Sequence, residues 1–75
     1  MPTGTVKWFN SSQGYGFIEE EHGRANVFVQ LSEVIPSRSK GFRPLKEGDR
    51  VAFDIERGHT GLTAINVMLH RESHN

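Results

Sequence analysis

Short runs of alternating apolar and polar residues, separated by polar and glycine-containing turns, are the main pattern along the chain. Such runs predict β-strands, because successive side chains of a strand point to opposite faces. Residues 32–48 read as a long connection, in which residues 32–35 are predicted to form one helical turn capped by Ser32. Five short strands in a small chain favour an all-β fold, a five-stranded antiparallel barrel whose closure removes exposed edges. The predicted strands are residues 5–9, 15–20, 27–31, 51–56 and 62–69.

The alternation also assigns the faces of the third and fourth strands. Val27, Val29 and Leu31 share an aliphatic face that is expected to line the core, so that Phe28 points outward. The fourth strand has one apolar face, made of Val51, Phe53 and Ile55.

The second strand repeats this arrangement. If Ile18 is its core residue, Tyr15 and Phe17 point to solvent. Trp8 follows a lysine on an amphipathic first strand, where the alternation leaves its face ambiguous. The alternative is a reversed assignment that buries the rings, but it would expose the aliphatic side chains together. We therefore expect aromatic rings on the outer surface of neighbouring strands.

Contiguous exposed rings usually mark a binding surface, and this set favours single-stranded nucleic acid as the ligand. Unpaired bases stack on such rings, and each stack is worth roughly 1–3 kcal/mol. Lys7 could contact phosphates, and so could the long connection, where Phe42 lies among several cations. The alternative for the connection is an ordinary solvated loop. Its cations are Arg38, Lys40, Arg43, Lys46 and Arg50.

Composition narrows the class of protein further. The 75 residues carry nine basic and nine acidic side chains, a formal net charge of zero, and no cysteine. A disulfide scaffold and a thiolate zinc site are therefore excluded. No apolar run reaches the roughly 20 residues of a membrane helix, and the first residues do not resemble a signal peptide. We expect a cytoplasmic protein with one domain over residues 1–70 and a polar tail over residues 71–75.

Catalytic chemistry has no support in the sequence. The serines lack a Gly-x-Ser-x-Gly elbow, and no phosphate-binding loop or dinucleotide fingerprint is present. The four histidines fall in turns and in the tail, with no spacing that favours a metal site. We expect a non-enzymatic binding protein without cofactor or metal.

Three segments together carry a family resemblance. Residues 4–10 (GTVKWFN), 14–18 (GYGFI) and 27–29 (VFV) make the chain resemble the cold-shock domain family, and the match runs from residue 4 to about 67. The resemblance implies an OB-type Greek-key barrel that binds single-stranded RNA and DNA with low sequence selectivity. It also implies the role of an RNA chaperone or a modulator of transcription and translation. The binding residues that it implies are Lys7, Trp8, Tyr15, Phe17, Phe28 and Phe42.

Several positions depart from the family pattern. Gln13 replaces a lysine of the pattern, and Gln30 replaces a histidine. Leu31 replaces a phenylalanine, and Asn26 replaces an aspartate. Thr60 lies in a turn whose sequence also differs from the pattern. The amides can bond to base edges but neither stack nor neutralise phosphates. We therefore expect weaker binding and a shallow salt dependence. Gln30 joins the binding residues, and the further candidates are Gln13, Asn26, Leu31, Arg38, Lys40 and His59.

Two hypotheses follow from these observations. In the first, the barrel binds single-stranded RNA or DNA by base stacking. In the second, the same small barrel is a protein-interaction module with weakened or altered nucleic-acid binding, as the zero net charge and the altered motifs allow. A closed barrel of this size can be a monomer, and a dimer stays an alternative.

Overall fold

Five strands and one short 3-10 turn make up the computed structural model, which describes residues 1–36, 45–59 and 61–70. Within these ranges, no helix is long and apolar enough to cross a membrane. All five predicted strands are present, with ends that differ by up to two residues. Their bounds are β1 Thr3–Asn10, β2 Tyr15–Glu20, β3 Asn26–Gln30, β4 Arg50–Gly58 and β5 Gly61–Leu69.

The strands close into a barrel in the order β1-β2-β3-β5-β4, which confirms the predicted five-stranded all-β barrel. One neighbouring pair departs from the predicted antiparallel arrangement, because β3 and β5 are parallel, with Phe28 opposite Thr63. The reason is geometric. Around a closed ring with an odd number of strands, up and down directions cannot alternate throughout, so at least one neighbouring pair must be parallel.

The barrel interior is filled by the aliphatic faces of the strands together with one phenylalanine. Ile18, Val27, Val29 and Phe53 have no exposed surface. This confirms that Ile18 on β2 and Val27 and Val29 on β3 point into the core. Ile55 was expected to be buried with Phe53, but it is 37% exposed and begins the exposed end of β4, which runs from Ile55 to Gly58. In the described part of the chain, the buried core cluster comprises Val6, Ile18, Val27, Val29, Val34, Leu45, Val51, Phe53, Ala64 and Val67.

The chain leaves β3 through a 3-10 turn over Leu31–Glu33, where a helical turn over residues 32–35 was predicted. The N-cap position is Gln30 rather than Ser32, and no side chain caps the turn. The backbone N–H of Leu31 donates to the carbonyl of Gly14 at 2.8 Å, so this turn is tied to the start of β2. Leu31 therefore ends the strand instead of belonging to it.

A polar cluster joins the start of β1, the end of β2 and the start of β4. The Thr3 hydroxyl donates to Glu21 at 2.5 Å, and the Arg50 guanidinium donates to the same carboxylate at 3.0 Å. The hydrogen bond from Thr3, followed by the charge of Arg50, lowers the pKa of Glu21 below its ordinary value. Arg50, counted above among the cations of the connection, thus belongs to β4 and pairs with an acid.

Candidate nucleic-acid interface

A β-bulge in β1 decides where the single tryptophan points. Val6 pairs with Ile18, and the next pair along the two strands is Trp8 with Phe17, so Lys7 is an extra residue on β1. Simple alternation would place Trp8 on the same inward face as Val6. The extra residue shifts the alternation by one, and both Lys7 and Trp8 are exposed. The ambiguity of Trp8 in the sequence is thereby resolved in favour of the outer face.

Close contact between β1 and β2 depends on a glycine directly across from Phe9. Gly16 is buried and pairs with Phe9. A Cβ atom built on Gly16 would lie 2.7 Å from both Cα and Cδ1 of Phe9, and closer still to the Trp8 carbonyl oxygen. Only a hydrogen atom fits there. This contact sets the spacing of the two strands that carry Trp8, Tyr15 and Phe17.

Four aromatic rings lie in mutual contact on the outer faces of β1, β2 and β3. The Trp8 ring centroid is 5.3 Å from that of Tyr15 and 6.5 Å from that of Phe17. The Phe28 centroid is 5.7 Å from Tyr15 and 5.8 Å from Phe17. Each ring therefore touches two others, and the four enclose one continuous patch. We call this patch the aromatic surface: Trp8, Tyr15, Phe17 and Phe28.

The four rings are not equally exposed. Trp8 and Phe17 are the open pair, with 44% and 40% of their surface exposed. Tyr15 and Phe28 were both expected to be exposed, but they are half-buried. Neighbouring rings cover part of each side chain. Trp8 and Phe17 are also near parallel, with an interplanar angle of 29°. Two accessible, similarly oriented rings form the part of the patch that can best receive flat ligands.

Amide side chains lie at both ends of β3, on either side of Phe28. Gln30 pairs with Tyr15, Asn26 pairs with Glu19, and both amide residues are exposed. Gln13 is exposed in the β1–β2 turn, where its backbone N–H donates to the Asn10 side-chain oxygen at 2.9 Å. Gln30 and Asn26 thus flank the aromatic surface with groups that both donate and accept hydrogen bonds.

Lys7 is exposed beside the aromatic surface, but it already has a partner. Its Nζ lies 3.5 Å from Oε1 of Glu19, the residue that pairs with Thr5 across β1 and β2. Lys7 was expected to contact phosphates, and its pairing with Glu19 was not predicted from the sequence. Strand alternation was the available signal, because Tyr15, Phe17 and Glu19 share one face of β2.

The remaining sequence candidates lie in turns or outside the described residues. Leu31 is half-buried and packs against the core instead of offering a full apolar contact. His59 is exposed in the turn between β4 and β5. Thr63 was missed, although it lies beside Phe28, because a parallel pairing distant in sequence leaves no local signal. The candidates outside the described residues are Arg38, Lys40 and Phe42. The loop cation Arg43 and the altered-turn residue Thr60 also lie outside them.

Titratable groups in the described part of the chain do not gather into a metal site. Within residues 1–36, 45–59 and 61–70, no three His, Asp or Glu side chains form a group that could hold a metal ion. Beside the aromatic surface, the described residues place the amides of Gln30 and Asn26 and the ion pair of Lys7 with Glu19, groups that suit hydrogen bonding and contact with a charged ligand.

Comparison with known proteins identifies the family. The model of the "Cold-shock" DNA-binding domain family matches residues 2–70. The chain is 51% identical over 67 residues to cold shock protein CspC of Bacillus subtilis, covering 89% of this chain and 96% of that protein. It is 47% identical over 66 residues to the cold shock-like protein CspA of Shewanella violacea, covering 88% and 90%.

A solved structure supports the fold assignment. Drosophila Unr CSD456 superimposes with a TM-score of 0.73 at 23% identity, covering 93% of this chain and 26% of that one. At this level of identity the likeness concerns the fold alone. The family match, the relatives at about half identity and the closed five-stranded barrel all agree with the resemblance seen in the sequence. The chain belongs to the cold-shock domain family of nucleic-acid-binding proteins.

Proposed function

We propose that this protein binds single-stranded RNA or DNA by stacking unpaired bases on the aromatic surface. The observation that carries the proposal is the set of four contacting rings on the outer face of three strands, with Trp8 and Phe17 the most exposed. Nucleobases are flat and apolar on both faces, so rings of this kind can stack any of them. A duplex hides those faces, which makes the single strand the favoured ligand.

The proposed biological role is that of a cytoplasmic, non-enzymatic RNA chaperone or modulator of transcription or translation. Stacking traps unpaired bases and so opposes base pairing within RNA. The zero net charge and the amides at positions 13, 26 and 30 favour weak binding that releases its ligand readily. The proposed binding domain spans residues 1–70, with residues 71–75 as a tail.

Fluorescence of Trp8 tests the proposal, because it is the only tryptophan in the chain. We expect a short oligothymidine or oligouridine to quench this emission at low salt, since a stacked base contacts the indole directly. A fully paired hairpin of equal length is the matched control and should quench little. No change at micromolar concentrations of either single strand would contradict the proposal and favour a protein-interaction module.

A further inference from the structure

The ion pair between Lys7 and Glu19, beside the aromatic surface, bears on the affinity for single-stranded nucleic acid. On β2, Glu19 is the next residue after Tyr15 and Phe17 on the outer face, so its carboxylate lies at the end of the aromatic surface. There it pairs with Lys7, at 3.5 Å. We propose that Glu19 competes within the molecule with ligand phosphate for Lys7 and thereby limits the affinity for single strands. This inference rests on the proposed function.

The bulge in β1 explains why these two side chains meet. Lys7 is the extra residue between two regular pairs, Val6 with Ile18 and Trp8 with Phe17. It therefore does not follow the alternation of the other β1 side chains, and its Nζ contacts the carboxylate of Glu19 on the neighbouring strand β2. The side chains of Lys7 and Glu19 keep 57% and 35% of their surface exposed, so the pair is open to exchange with a ligand.

A phosphate at Lys7 would have to replace the carboxylate or lie beside it. In the first case the energy of the existing ion pair is lost, and in the second the two anions repel each other. Both costs reduce the binding free energy that the contact between Lys7 and the phosphate provides. They disappear when residue 19 is neutral, because the lysine is then free to turn toward the phosphate.

The salt dependence of binding reports how much positive charge Lys7 presents to the ligand. A lysine that neutralises one phosphate of a single strand adds roughly 0.7 to the slope of log affinity against log salt. Lys7 paired with Glu19 contributes almost no net charge and should add much less. Replacing Glu19 by glutamine should release the full contribution of Lys7.

The experiment is a double-mutant cycle with Lys7→Ala, Glu19→Gln and the double variant, beside the unchanged protein. Binding is measured by the anisotropy of a fluorescein-labelled oligothymidine over a range of salt, a readout that does not depend on the environment of Trp8. We expect Glu19→Gln to tighten binding roughly two- to fivefold at low salt, the scale of an exposed ion pair, and to steepen the slope by about 0.7. When Glu19→Gln is combined with Lys7→Ala, both the gain in affinity and the increase in the salt slope should be smaller.

Glu56→Gln serves as the matched control. Glu56 is an exposed carboxylate on β4, opposite Thr63. Its replacement by glutamine removes the same formal charge as Glu19→Gln but leaves the Lys7–Glu19 ion pair in place. Its effect should be small and the same with or without Lys7. Melting curves should show every variant folded, because an exposed ion pair contributes little to stability.

Three results would overturn the inference, and only one of them affects the proposed function. Unchanged affinity and slope for Glu19→Gln, in a protein that binds, would remove the competition alone. An equal gain with and without Lys7 would show general charge repulsion instead of competition. Absence of binding by every variant would overturn the proposed function, and the inference with it.

Discussion

Replacing Phe17 by alanine is expected to weaken oligothymidine binding by about 5- to 150-fold, which corresponds to the roughly 1–3 kcal/mol of one lost base stack. Phe17 is 40% exposed, and its ring contacts those of Trp8 and Phe28, so it is an accessible part of the aromatic surface. Loss of those ring contacts should cost about 1 kcal/mol of folding stability. Labelled-oligonucleotide titration measures the affinity, and urea unfolding measures the stability.

The neighbouring residue provides the control for this prediction. Ile18 is fully buried and points to the opposite face from Phe17. Ile18→Val should lower the free energy of unfolding by about 0.5–1.5 kcal/mol while leaving affinity unchanged. The two variants should therefore separate binding from stability. If Phe17→Ala binds as tightly as the unchanged protein, the ring does not stack a base.

Replacing Gly16 by alanine is expected to destabilise the domain severely. The added methyl group would lie 2.7 Å from Phe9 Cα and closer to the Trp8 carbonyl oxygen, so backbone as well as side chain must move. Overpacking of this kind typically costs about 1–3 kcal/mol, and a domain of this size has only about 3–5 kcal/mol of stability. Circular dichroism during thermal unfolding should show a large fall in the melting temperature or a chain that is partly unfolded.

Gly58→Ala is the matched control, because it also places a methyl group on a strand glycine. Among the described residues, a Cβ atom there would meet the Gly61 carbonyl oxygen at 3.8 Å, which is an ordinary contact. Its melting temperature should stay close to that of the unchanged protein. Equal melting temperatures for the two variants would mean that β1 and β2 can separate without cost, contrary to the tight pairing of Gly16 with Phe9.

Local alternation in the sequence was sufficient to predict the strands and half of the buried core cluster in the described part of the chain. Val27 and Val29 alternate with polar or aromatic neighbours within one strand, so their burial follows from strand geometry alone. The same alternation predicted that Phe17 points outward. Where a strand is regular and one of its faces is clearly aliphatic, neither distant contacts nor an alignment is needed.

Features that depend on distant contacts could not be predicted in this way. The extra residue at Lys7 appears only when β1 is aligned with β2, and it reverses the face of Trp8. The burial of Leu45, 3% exposed, arises because the chain returns to the barrel just before β4, although its local surroundings read as a polar loop. The ion pair between Lys7 and Glu19 likewise depends on strand register and not on spacing.

The central claim is that bases lie against the rings of the aromatic surface, and the most direct measurement is an NMR spectrum of the complex with oligothymidine. We expect intermolecular nuclear Overhauser effects between the thymine methyl and H6 protons and the ring protons of Phe17 and Phe28, with upfield shifts of the thymine protons. Contacts from the thymines to β4 or the β4–β5 turn, with none to these two rings, would contradict the claim.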